Sequence, residues 1–336
     1  MGAVALRSLL LALLVASLLL ATSRAQPAVK VVVTAPTLEA VVRAVGGDRV
    51  KVSCVIPPGA DPHHYEPTLE DLKALRAADI VVMTGPSHLP IEERVEELAS
   101  AGEIEAVLVN YRDYVEYGLR LLELPSGKVN PHGYMFSCSG LGAIARAVEK
   151  ALEERDQGGA GYYRARLSAF LERLKGACEA ARRVLGREAR VALLTPMLQY
   201  VAEDLGLRVE LILLPELGVE PAPGDVDRLV EAYRLREIEL VLLTDREASE
   251  YSGLLEELRR RDVPYVIVPL FSSRLIEEPE TIPLVVASWV RCGRVTGYRR
   301  AGCEWLAPPL AASVGLNAAL IPLVALLIAK VRGVGR

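Results

Sequence analysis

Apolar residues form three kinds of pattern along this chain. One run without charge covers residues 9–21 and a longer one residues 306–329; between them, short β-branched runs alternate with stretches of helical periodicity. Residues 29–33, 50–56, 80–83 and 106–109 read as buried strands, with amphipathic helices near 38–45, 69–77 and 91–98. The same grammar returns with strands at 191–194, 209–213, 240–243 and 265–268 and helices at 226–233 and 254–261. Strands alternating with helices imply parallel sheets, so the pattern predicts two α/β lobes. Between the lobes, residues 162–185 carry helical periodicity without an internal proline. Tyr163, Leu167, Phe170, Leu171, Leu174, Cys178, Ala181 and Leu185 fall on its apolar stripe. A helix of that length is stiff and runs about 36 Å, the height of both domains.

The end runs have different meanings. Arg7 precedes the first, and Ser23, Arg24 and Ala25 follow it, the pattern of a cleaved secretory signal over residues 1–25. The second run has no charge and is followed by Lys330, Arg332 and Arg336; it is long enough to span a membrane, and its basic tail belongs in the cytoplasm. The expected plan is therefore a signal at 1–25, a first lobe at 26–157, a linking helix at 158–186, a second lobe at 187–305 and an anchor at 306–336. The lobes would lie outside the cell.

The whole chain carries a formal charge of −4, and five of its basic residues lie in the two end segments, leaving the body at −9. That balance argues against nucleic acid as a partner. Of five cysteines, Cys292 and Cys303 make the best bridge. Cys54 and Cys138, near the histidine loops, read as a second bridge or as two unrelated buried thiols in preference to thiolate ligands, and Cys178 as a small buried residue of the long helix. No G-x-S-x-G, H-E-x-x-H or phosphate loop occurs, so an enzyme is not expected.

Only four histidines occur: His63, His64, His88 and His132. Two Pro-His turns, DPHHYEPT (61–68) and NPHGY (130–134), follow strands of the first lobe. Imidazole is the commonest ligand for borderline transition metals, and the C-terminal ends of parallel strands share one crevice.

At this point the chain resembles the zinc and manganese receptors of ABC importers, the TroA-like or ZnuA-like solute-binding superfamily. The likeness rests on the stretch from PPGADPHHYEPTLEDL (57–72) through NPHGY and the long helix to ELGVEPAPGDVDRLVEAYRLREIELVLLTD (216–245). It implies two α/β lobes bridged by one rigid helix, a divalent metal between them, and permease and ATPase subunits as partners of a monomer. Carried over by position, the resemblance gives His63 and His132 as ligands. Two further family ligand positions hold Thr195 and Val268, neither suited to zinc or manganese. His88 or Asp245 is then expected to complete the site, with His64 or Asp61 as further candidates. Tyr65, Tyr134 and Thr195 are expected beside the ligands. Histidine-rich ligation favours Zn²⁺ over Mn²⁺. Two other readings keep the fold: a receptor for a metal chelate or organic solute, and a surface protein that has lost its metal.

Overall fold

The computed structural model describes residues 28–292, apart from 58, 86–88, 216–217, 272–274 and 276. The expected signal, the tail span, His88 and the Cys292–Cys303 bridge lie outside what is described. Among the described residues, no helix is long and apolar enough to cross a membrane.

In the first lobe, β1 (Val29–Val33), β2 (Val50–Cys54), β3 (Ile80–Val82) and β4 (Val107–Val109) form a parallel sheet in the order β2-β1-β3-β4. Val31 pairs with both Val52 and Ile80, which fixes the register. Five helices follow their strands or connections: α1 (Pro36–Gly46), α2 (Leu69–Arg76), α3 (Pro90–Ser100), α4 (Tyr111–Glu116) and α5 (Cys138–Arg155). In α1, proline occupies the first turn, where its missing N–H costs nothing, and Leu38, Val41, Val42 and Val45 form a buried stripe.

The linking helix α6 (Ala160–Leu185) has 26 residues and spans about 39 Å. It ends at Gly186, whose φ of 66° suits a left-handed cap. Arg166 Nε donates to the Ala44 carbonyl of the first lobe at 2.9 Å, and Arg182 Nε to the Asp204 carbonyl of the second at 2.8 Å. One helix is thus bonded to both lobes.

The second lobe repeats the plan with β5 (Arg190–Leu193), β6 (Arg208–Ile212), β7 (Leu240–Thr244) and β8 (Tyr265–Val268) in the order β6-β5-β7-β8, all parallel. Its helices are α7 (Gln199–Leu205), α8 (Pro223–Arg234), α9 (Asp245–Glu250), α10 (Ser252–Arg260) and α11 (Ile282–Cys292). One apolar cluster runs through both lobes, from Val31 and Leu141 through Phe170 and Leu174 to Val191, Leu242 and Val286, and each lobe has a second cluster of its own, around Val81 and Ile91 in the first and Leu243 and Leu258 in the second.

The reading of Cys54, Cys138 and Cys178 needs correction. Cys138 is bonded to Cys178, and Cys54 is a free thiol whose Sγ donates to the Ile56 carbonyl. The reason is the geometry of a helical hairpin. Cys138 opens α5, 17 residues before its end, and Cys178 stands 18 residues after the start of α6. With equal rise on each arm, the two positions come level. Burial pushes the Cys54 thiol up to about 12, so it is not a thiolate, and Cys138 is spent on its bridge.

Candidate metal centre

Both histidine turns use the same local device. The His63 N–H donates to Asp61 Oδ1 at 3.0 Å, and the His132 N–H to Asn130 Oδ1 at 2.8 Å. Each is an Asx side chain accepting from the residue two positions on, with proline between fixing φ. The repeated Asx-Pro-His triplet is a sequence signal that the paired Pro-His reading passed over.

The fold then brings the two rings together. The centroids of His63 and His132 lie 6.0 Å apart in an edge-on arrangement. Burial, and secondarily the neighbouring His63, lowers the His132 pKa to about 4, so this ring stays neutral and keeps a lone pair for coordination across the ordinary pH range. His63 is exposed.

The His132 turn is packed into a buried seam between the lobes. Asn130 Nδ2 donates to the Pro196 carbonyl at 3.1 Å and to Gln199 Oε1 at 2.9 Å, and the Asn130 carbonyl accepts from Tyr200 Oη at 2.6 Å. The Leu122 N–H donates to the same Tyr200 oxygen at 3.0 Å. Gly133, at φ 81°, lies so close to the Met197 carbonyl that any Cβ would collide with it. Tyr134 is fully buried, and its hydroxyl donates to the Thr84 carbonyl; it ties the turn to the end of β3.

The His63 turn is held from its own lobe by Tyr65, whose hydroxyl donates to Asp71 Oδ2 at 2.8 Å in the first turn of α2. Asp61 Oδ2 lies 3.1 Å from His64 Nδ1 and 2.9 Å from Arg246 Nη2 of α9. Burial alone would raise the Asp61 carboxyl; the His64 and His63 hydrogen bonds and the Arg246 charge outweigh it and hold it below its usual range. Both Asp61 oxygens and the His64 ring are therefore engaged with each other.

In the second lobe, Thr195 and Val268 are buried at the ends of β5 and β8. Asp245 opens α9, and its Oδ1 accepts the Phe271 N–H at 3.2 Å, while Thr244 is the N-cap. Among the described residues, no group of three or more His, Cys, Asp or Glu is gathered closely enough to hold a metal.

A buried carboxylate occupies the point in each sheet where the strand order reverses. Glu92 accepts from Thr34 Oγ1 at 2.7 Å, from the Thr84 N–H at 2.6 Å and from the Gly85 N–H at 3.1 Å, joining the ends of β1 and β3. Burial outweighs these bonds and raises its pKa to about 7. Glu247 occupies the matching place beside Thr195 and Thr244, and its Oε2 accepts the Thr244 N–H. Among the described residues no well-formed hydrogen bond reaches its buried Oε1; burial raises its pKa, and the nearby Thr195 and Thr244 donors act in the opposite direction. Neither position stood out in the sequence: the sheet alone brings Thr34 to Glu92 and Thr195 to Glu247, whereas Thr244 and Glu247 form a local capping box whose T-x-x-E spacing could have marked the second site.

Comparison with known proteins now has geometry to rest on. The metal ABC transporter substrate-binding lipoprotein FimA of Streptococcus parasanguinis is 25% identical over 269 residues, covering 77% of this chain and 85% of that protein. The manganese ABC transporter substrate-binding lipoprotein PsaA of Streptococcus pneumoniae is 23% identical, covering 75% and 82%. Among solved structures, the substrate-binding protein FpvC of Pseudomonas aeruginosa in complex with Mn²⁺ shares the fold, with a TM-score of 0.65 at 22% identity, over 79% of this chain and 98% of that one. The family model described as "Zinc-uptake complex component A periplasmic" matches residues 31–277, most of the sequence. The chain therefore belongs to that family and is a substrate-binding protein of a metal ABC transporter, not an enzyme.

Proposed function

We propose that this protein captures Zn²⁺ in preference to Mn²⁺ between its lobes, with His63 and His132 as the principal ligands, and hands it to a permease and ATPase pair. The observation that carries the reading is the 6.0 Å separation of the two rings. At Zn–N distances of about 2.1 Å, two imidazoles sharing one ion have ring centres roughly 5–6 Å apart. His88 or Asp245, with water, is the proposed completion of the shell.

The choice of zinc follows from donor chemistry. Imidazole suits zinc, whereas manganese favours hard carboxylate oxygens, and the second lobe offers Thr195 and Val268 at the positions in question. PsaA is named for manganese and FpvC was observed with Mn²⁺, so the preference inferred here separates this chain from those relatives. The protein acts outside the cytoplasm as a monomer, exported by residues 1–25 and tethered by residues 306–329.

Calorimetric titration with Zn²⁺ and with Mn²⁺, on the wild type and on His63→Ala and His132→Ala, tests the assignment. Each substitution should weaken Zn²⁺ binding by more than about 100-fold, since even groups that only orient a ligand are worth about 10–100-fold. Equal affinities for the two metals would refute the zinc preference, and unchanged binding in both variants would remove the site.

A further inference from the structure

Asp61 joins three groups drawn from both lobes. Its Oδ1 accepts the His63 amide at 3.0 Å, while its Oδ2 meets the His64 ring at 3.1 Å and Arg246 at 2.9 Å. Arg246 is the second residue of α9, at the C-terminal edge of the second sheet, so this ion pair crosses the cleft beside a ligand turn. The seam at His132 also crosses the cleft, but through the buried side chains of Asn130, Gln199 and Tyr200. The two crossings differ in exposure. The Asp61 and Arg246 side chains keep 38% and 31% of their surface in contact with solvent, whereas Asn130 keeps none.

We propose that Arg246 is a positioning residue for metal capture: through Asp61 it fixes the His63 turn against the second lobe, so that this lobe serves the site by holding a ligand loop rather than by coordination at Thr195 or Val268. The inference rests on His63 being a ligand. Its physical content is preorganisation. The same Asp61 carboxylate receives the turn amide and the arginine, so losing the arginine frees the carboxylate to rotate and the amide to exchange. A ligand held in place before the ion arrives avoids an ordering cost at binding. Because the pair is partly exposed, its effect is modest, about two- to fivefold in affinity, and salt screens it. Lysine at 246 retains the charge but not the forked donor, so it should restore part of the effect.

The test uses the full chain as wild type, Arg246→Ala and Arg246→Lys. Zn²⁺ affinity is measured at low and high salt, and amide hydrogen exchange at His63 and His64 is measured without metal. Arg246→Ala should weaken Zn²⁺ binding about two- to fivefold at low salt, speed exchange at His63, and converge on wild type at high salt. Arg246→Lys should fall between the two. Unchanged exchange at His63 in Arg246→Ala would overturn the proposal, because the pair would not be holding the turn. Faster exchange with unchanged Zn²⁺ affinity would overturn it differently, by showing that the turn is held but does not serve the ion. His63→Ala separates this from the underlying reading: full Zn²⁺ binding in that variant means that His63 is not a ligand at all.

Discussion

The Asp61-Pro62-His63 and Asn130-Pro131-His132 turns are built alike and embedded differently. Asn130 is fully buried, and its side chain accepts one hydrogen bond and donates two. A neutral amide can do both; a carboxylate can only accept. Asp61 faces three donors, the His63 amide, the His64 ring and Arg246, and its charge strengthens each contact. The residue type at the head of each turn therefore follows from what lies across the cleft. One histidine is set in a packed seam, and the other rides on a partly solvated ion pair.

The largest break in this contrast comes from the Cys138–Cys178 bridge, six residues beyond His132. It closes a loop with a sequence separation of 40, which corresponds to about 4 kcal/mol of stabilisation. Replacing both cysteines by alanine should lower the unfolding free energy by that order in a denaturant titration, while zinc binding to the folded fraction persists. Next, Asn130→Asp places a carboxylate opposite the Pro196 carbonyl and Gln199 Oε1; a loss of about 3 kcal/mol is expected, and wild-type stability would show that the seam does not read residue type.

A third effect depends on pH. The folded pKa of His132 is depressed to about 4, below its unfolded value near 6.5, so the unfolded chain takes up the proton first. His132 by itself should withdraw about 2–3 kcal/mol from the metal-free protein as pH falls from 6.5 toward 4, while Glu92, with its pKa raised to about 7, acts in the opposite sense over the same range. The His132 share is therefore the difference in stability between wild type and His132→Gln, which should grow as pH rises from 4 to 6.5 and then level off. Smallest of all, His64→Ala removes an exposed ring that contacts Asp61; Zn²⁺ affinity should stay within about twofold, and only a loss of the size expected for His63→Ala would make His64 a ligand.

Much of this was legible in the chain itself. The eight described strands occur where the apolar runs predict them; the central strands β3 and β7 are buried throughout and leave a continuous apolar signal, while the edge strands β2 and β6 interleave Lys51, Ser53 and Glu210 with apolar residues. The periodicity at 162–185 marked the linking helix to within two residues. Pro-His spacing singled out the two rings that meet. What escaped was long-range: Asp61 with Arg246, Asn130 with Gln199, Cys138 with Cys178, and the threonine partners of Glu92. Each pairing depends on the lobes or helices being docked first, and no local pattern encodes it. The hairpin was the exception, since equal residue counts on either side of the 156–159 connection would have paired Cys138 with Cys178.

The last described helix also decides where a pull on the chain is felt. Arg291 Nη1 donates to the Val184 carbonyl at 2.6 Å, so α11 finishes beside the end of α6, at the foot of β5, while Thr195 lies past the head of that strand. Tension applied beyond residue 292 would load α11 and α6, two helices packed against each other, and leave the rim where His63 and His132 meet mechanically quiet.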